Sequence, residues 1–188
     1  MIKSLGSVPY DRIPVVCGTR VCLRAFDLGL FEAACRMWAD PEVVRYIGGE
    51  PRSQATVWAA LQRGIGSWAV LGYGYWAVVD RNTGAFLGEA GFLDGLRDLK
   101  PAISGIPEAG WCLARSAWGQ GIATEVVTLM HDWADGALAA PETACIIDQG
   151  NEASVRVATK AGYVLAGLAS FGSAQTQLFR RQSRTSLT

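Results

Sequence analysis

Lysine and histidine are scarce in this 188-residue chain, which has three lysines, one histidine and fourteen arginines. A single histidine, His131, excludes a multi-histidine metal centre, and no metal is expected. An excess of one charge is also missing. Seventeen basic residues cancel seventeen acidic ones, so no global field draws the chain to nucleic acid or to an anionic membrane. Long apolar runs are absent too: the uncharged stretches 64–79 and 161–179 are broken by glycines, and neither reads as a membrane span. The N-terminus lacks a basic-then-apolar leader pattern. The five cysteines, Cys17, Cys22, Cys35, Cys112 and Cys145, contain no C-x-x-C pair. They are expected as free thiols in a reducing compartment, not as a disulfide framework or zinc site. A soluble, cytoplasmic protein follows as the expectation, with no nucleic acid or membrane partner, as a monomer or homodimer.

Half of the residues are hydrophobic and 18% are charged, enough for a packed core. The length fits one domain, which typically holds roughly 100–200 residues. A lead-in over 1–19, a domain over 20–181 and a disordered tail over 182–188 are expected. Alternation predicts strands from Val21 and over 75–80, 85–93 and 108–114, with a turn at Arg81–Gly84. Helical spacing places helices after Asp27 and Ser53, over about 121–138, and from Asn151 to about Ala161. A strand over 143–147 and two closing strands over 163–171 and 175–181 complete the order βααβββαβαββ. This is an α/β (α+β) pattern of about seven strands and about four helices.

The segment with most chemical content joins a strand to a helix through Trp118-Gly119-Gln120-Gly121-Ile122-Ala123-Thr124. A helix start offers unpaired N–H groups and the positive dipole end, and glycines admit an anion close to the backbone. A phosphate site and a plain glycine-rich turn both fit that pattern. A Walker loop would need Gly-Lys-Ser/Thr, which does not occur. A dinucleotide loop would need a third glycine where Thr124 stands, and Asp148 lies too far on to be its ribose acid. A dinucleotide-binding enzyme is therefore a distant third reading.

Residues 108–163 resemble the GNAT superfamily of acyl-CoA N-acyltransferases, whose pyrophosphate motif is Arg/Gln-x-x-Gly-x-Gly/Ala. Trp118 stands in the first slot, with Gly121 and Ala123 in the conserved ones. Trp118, with Thr124-Glu125 following, looks like the branch that acetylates the α-amine of ribosomal proteins. Asn151-Glu152-Ala153-Ser154, Lys160-Ala161-Gly162-Tyr163, Gly74-Tyr75-Trp76-Ala77-Val78 and Leu87-Gly88-Glu89-Ala90-Gly91-Phe92 extend the resemblance to about residues 20–181. It implies a mixed, mostly antiparallel, twisted sheet with splayed central strands.

The resemblance also implies the activity: transfer of an acetyl group from acetyl-CoA to a primary amine, most directly a peptide or protein N-terminus. Small amines (aminoglycoside, amino acid, polyamine) and an inactive CoA-binding module are the alternatives. By the same resemblance Trp111, Cys112 and Leu113 contact the pantetheine. Trp118, Gly119, Gln120, Gly121, Ile122, Ala123 and Thr124 hold the diphosphate, and Asn151 and Ser154 meet the arm. Ser154 is the candidate proton donor to the thiolate, because the family's tyrosine seven positions after the asparagine is Ala158 here. Glu89, inside an apolar strand, and Glu108 are the candidate bases. Arg45, Tyr46 and Trp76 are candidate acceptor-site residues. His131 and Cys112 are read as packing groups rather than catalysts.

Overall fold

The computed structural model describes residues 8–138, 140–172 and 174–184. Its centre is a nine-stranded sheet in the order β1-β2-β3-β4-β6-β7-β9-β8-β5. The strands are β1 (Val16–Cys17), β2 (Val21–Arg24), β3 (Tyr75–Asp80), β4 (Phe86–Leu93), β5 (Leu99–Lys100), β6 (Glu108–Leu113), β7 (Glu142–Asp148), β8 (Val164–Phe171) and β9 (Ala174–Gln182). Helices α1 (Phe31–Trp38), α2 (Pro41–Val44) and α3 (Gln54–Leu71) connect β2 to β3, α4 (Ile122–Ala137) follows β6, and α5 (Glu152–Lys160) follows β7. The mixed, mostly antiparallel architecture matches the sequence expectation. Two strands exceed the expected number, β1 and β5, and each is two residues long. So short a segment carries no legible alternation. Helix α2 is likewise a single turn, capped by the Asp40 side chain, which accepts from the Glu42 N–H.

From Val8 onward the expected lead-in is built against the core rather than leading up to it. Ile13 is buried, the Trp76 indole donates to Pro14 O at 2.9 Å, and β1 pairs with β2. At the other end β9 reaches Gln182, Ser183 is buried and Arg184 pairs with Asp132 at 3.1 Å. The remainder of the expected tail, 185–188, lies outside the described residues. The free-thiol expectation fails at one pair: Cys17 and Cys22 form a disulfide. Their spacing is no redox motif, but the β1–β2 hairpin makes them direct cross-strand partners. Cys35, Cys112 and Cys145 are free.

Strand alternation separates two unlike faces. On one, Val21, Leu23, Trp76, Val78, Ala90 and Phe92 meet Val126, Val127 and Met130 of α4. Trp76, expected at the acceptor site, is 1% exposed here. It contacts the rings of Trp68 and Trp133 at 4.7 and 4.9 Å between centroids. Its neighbour Tyr75 points to the opposite face, so a one-residue step in a strand decides between core and site. On that second face Ala77, Val79 and Cys112 pack under Ala34, Met37, Trp38, Val43, Val44 and Val57 of α1–α3. Both faces are therefore covered. No helix among the described residues is long and apolar enough to cross a membrane.

His131 on α4 lies between the rings of Phe92 and Tyr163. Neither of its ring nitrogens has a hydrogen-bond partner among the described residues. Burial first, then the nearby Arg181 guanidinium, pulls its pKa down to about 3. Arg181 itself forms a two-pronged pair with Asp135, at 2.8 and 2.6 Å, and ties β9 to α4. The His131 shift has a definite sign. The unfolded chain binds a proton at His131 below its ordinary value of 6.5, and the folded chain does not until about 3. Stability is therefore complete above that upper value and declines as pH falls through the window, by at most about 1.4 kcal/mol per pH unit. His131→Gln is expected to flatten this decline. Urea unfolding of both proteins between pH 4 and 7 checks it, and parallel curves would contradict it.

Candidate functional site

The sheet opens at its middle. β6 and β7 run parallel and share one register pair, Glu108 with Ala144, anchored by the Ala144 N–H donating to Pro107 O at 3.1 Å. Beyond that point no register pair joins them, although β6 stays paired to β4 from Leu93–Glu108 through to Gly88–Leu113. The β7-facing edge of Trp111, Cys112 and Leu113 is thus a row of peptide groups without a neighbouring strand, and such groups need a partner.

The glycine turn stands at the wide end of this opening. After Ala117 the chain passes through Gly119 (φ 72°) and Gly121 (φ 76°) into α4. Left-handed geometry favours glycine at both. No side chain caps α4, and the N–H groups of Ile122, Ala123 and Thr124 have no acceptor among the described residues. A Cβ on Gly119 would meet nothing within 4 Å. The turn is therefore open and donor-rich, chemistry that fits a phosphate group. Gln120 braces it from within, its side-chain amide donating to Ser116 O at 2.7 Å. Trp118 folds back, donating its indole N–H to Leu113 O at 2.8 Å, so it fastens the turn to β6.

Across the opening, α5 starts at the end of β7. The Asn151 side-chain oxygen accepts from the Ser154 N–H at 3.1 Å and caps the helix. Its amide nitrogen stays available, and Ser154 is half-buried one turn on. Ala158 is fully buried. Tyr46 comes from the α2–α3 loop and lies beside this turn, its ring carbon 3.9 Å from where a Cβ on Gly150 would stand. The Arg45 guanidinium sits 5.3 Å from the Tyr46 ring centre.

Glu89 is on β4, opposite Cys112 of β6 and Ala77 of β3, on the face under α1–α3. Burial pushes its pKa up; Trp38, Arg52 and Arg63 partly oppose this. The Trp38 indole is the strongest of these opposing influences and favours the carboxylate. The Arg52 guanidinium stacks 3.5 Å from the Trp38 ring centre. Burial likewise raises the thiol of Cys112, consistent with packing rather than nucleophilic use. Glu108 differs from Glu89. It is buried and ion-paired with Arg97 of the β4–β5 loop, so its carboxylate holds that loop.

Two neighbours of Glu89 escaped sequence reasoning. Tyr75 crosses β6 so closely that a Cβ on Gly110 would fall 1.9 Å from its hydroxyl, and its phenol is pushed up by burial and by Glu89. Strand alternation was the available signal, since Tyr75 pairs with Gly91, two residues from Glu89. Trp38 carried no signal, because it has the spacing of an ordinary core residue.

Comparison with known proteins places this geometry. The family model described as an acetyltransferase (GNAT) domain matches residues 20–164. The uncharacterized protein YkkB of Bacillus subtilis (strain 168) is 31% identical over 129 residues, 67% of this chain and 70% of that one. The acetyltransferase from Agrobacterium tumefaciens str. C58 superposes with a TM-score of 0.78 at 25% identity, covering 90% of this chain and 95% of that one. The ribosomal L7/L12 α-N-protein acetyltransferase RimL, solved with coenzyme A, superposes at 0.71 with 16% identity, covering 90% and 98%.

The cap makes a prediction of its own. Asn151→Ala removes the side-chain acceptor at the start of α5 and is expected to cost about 1 kcal/mol, with Asn151→Asp costing less. Thermal unfolding of the two variants checks it; equal losses would deny the capping role.

Proposed function

The chain belongs to the GNAT acetyltransferase family and is an acetyl-CoA-dependent acetyltransferase; from that premise we propose that it acetylates the α-amine of a peptide or protein N-terminus. The observation carrying the site assignment is the uncapped, glycine-lined start of α4 at the parting of β6 and β7. Acetyl-CoA supplies an activated thioester. The amides of 119–124 bind its diphosphate. The open edge of Trp111–Leu113 and the free amide of Asn151 hold the pantetheine arm. A β6 N–H near Leu113 stabilises negative charge on the thioester oxygen.

One C–N bond forms and one C–S bond breaks, so two protons need places. Glu89 takes the proton leaving the amine, and the Ser154 hydroxyl gives its proton to the departing sulfur and is reprotonated from solvent. Holding both reactants along the opening supplies the entropic part of the rate. Arg45 and Tyr46 border the mouth through which the acceptor enters.

Chemistry also favours an α-amine over a lysine amine. An N-terminal amine titrates near about 7.7–8.0 and a lysine near about 10.4. A carboxylate raised from its ordinary value is matched to the first, because less energy is needed to present that amine neutral. The likeness in fold to an α-N-protein acetyltransferase supports the same choice.

Release of CoA thiol from acetyl-CoA with an amine panel tests the proposal. Peptides with free N-termini are expected to turn over, and α-blocked lysine peptides are not. Turnover of small amines alone, or cofactor binding without turnover, would overturn it. With an active peptide, Glu89→Gln is expected to lower kcat at least about 100-fold. The wild-type rate should fall as pH drops through the raised pKa of Glu89, above 4.5. The variant should keep only the amine's own limb; an unchanged profile would remove Glu89 as base.

Gly121→Trp and Gly121→Ala impose the same left-handed strain, about 1–2 kcal/mol, but only tryptophan fills the turn. Calorimetry is expected to show acetyl-CoA binding abolished by the first and retained, weakened, by the second. Equal affinities would place the diphosphate elsewhere.

A further inference from the structure

The glycine turn has no cation of its own. Residues 118–124 contain no lysine or arginine, and Arg115, just ahead, leans toward Asp40 at 3.8 Å. A diphosphate is multiply charged, while a helix start offers roughly half a positive charge. The missing cation is present in space. Arg20, in the β1–β2 turn, donates through Nη1 to Gln120 O at 2.6 Å. Its Nε donates to Glu125 Oε2 at 2.7 Å, and its backbone N–H to Glu125 Oε1 at 2.8 Å. Nη2 makes no hydrogen bond among the described residues and lies 3.7 Å from where a Cβ on Gly121 would stand. The Arg20 side chain is 46% exposed.

The surroundings hold this arginine in place. The Arg81 N–H donates to Arg20 O at 2.8 Å. Gly18 seats the hairpin on α4 so tightly that a Cβ there would meet Glu125 Oε1 at 2.6 Å. The Cys17–Cys22 disulfide closes the same hairpin. Burial works against ionising Glu125, but the hydrogen bonds from Arg20 outweigh it and hold its pKa below the usual range.

We propose that Arg20 positions the glycine turn and presents Nη2 to the diphosphate of acetyl-CoA, making it the turn's phosphate-recognition cation. The inference rests on the reading above that this turn binds the diphosphate. A guanidinium suits the task because its donors point in fixed, separate directions. One grips Glu125, one the carbonyl of Gln120, and one remains for a phosphate oxygen. Lysine, a point donor on a flexible stem, cannot satisfy all three. Glu125 offsets part of the charge, but it freezes the side chain beforehand, which lowers the ordering cost of binding.

Fluorescence titration with acetyl-CoA and with S-acetyl-pantetheine, which keeps the thioester and arm but lacks the diphosphate, tests this. Wild type is expected to bind acetyl-CoA much more tightly. Arg20→Ala is expected to shrink that preference about tenfold, entirely through weaker acetyl-CoA binding. Arg20→Lys should restore only part of it. Equal weakening of both ligands, with or without a lowered melting temperature, would make Arg20 merely structural and overturn the proposal, as would no change in either. If Arg20→Ala does not fold, Glu125→Gln, which loosens the same arginine, is expected to reduce the preference in the same direction; no reduction overturns the proposal. A wild type that binds the two ligands equally would instead refute the diphosphate reading of the turn, and the role of Arg20 with it.

Discussion

Two parallel strands that touch at one point and then diverge impose the constraint on which this molecule depends. β6 and β7 meet at Glu108 and Ala144. Past that pair, β6 retains a neighbour on one side alone. An ordinary parallel pair would satisfy those peptide groups and bury them. Apart from the Leu113 carbonyl, which the Trp118 indole takes, the next polar partner must come from solvent or from a ligand, and an extended arm with amide groups is a natural fit. The helices that follow the two strands start at the same end of the opening. Their N-termini thus converge on it: α4 uncapped, α5 capped by Asn151 with one amide to spare. The splay thus creates both the slot and the donors at its mouth.

The two faces of the sheet resolve the conflict between stability and chemistry by dividing it. The α4 face is continuous apolar packing with three tryptophans edge to face, each such pair contributing about 0.5–1.5 kcal/mol beyond its area. The opposite face accepts Glu89, Tyr75 and Arg52 among apolar side chains, and all three have pKa values displaced by burial. A raised carboxylate lowers stability as pH rises above its unfolded value, because the unfolded chain releases the proton more readily. His131, on the apolar face, acts in the reverse direction and lowers stability as pH falls. The molecule is squeezed from both sides in pH, by Glu89 on one face of the sheet and by His131 on the other.

What was legible in the sequence was whatever repeats a period or breaks one. The hairpin of β3 and β4, the helix α4 and the Asn151 cap all appear within a residue or two of their expected places, because alternation, helical spacing and capping are local signals. Trp76 shows the limit of that legibility. Its strand was correct, but its face was not readable, since both neighbours Tyr75 and Ala77 are also apolar or aromatic and alternation gives no parity. The cross-strand pairing of Cys17 and Cys22 was hidden for a related reason: a two-residue strand carries no pattern, and only the hairpin brings the thiols together. Glu108 looked like Glu89 in sequence. Arg97, eleven residues away along a loop without periodicity, separates them in chemistry.

The same limit applies most strongly to the glycine turn. Its glycines are legible in the motif, yet the turn's shape depends on contacts that no local window contains. Trp118 reaches back five residues to Leu113, and Arg20 reaches forward a hundred to Gln120. Residues 13–19, expected as part of a lead-in, thereby join Arg20 in the frame of the turn. A segment outside the catalytic motifs can be indispensable when a short loop must hold one conformation against several of similar energy. Glycines make the close approach possible but also enlarge the set of alternatives. Long-range hydrogen bonds select among those alternatives. The chemistry is written in the motif, while its precision is written in residues that flank the sheet on its far edge.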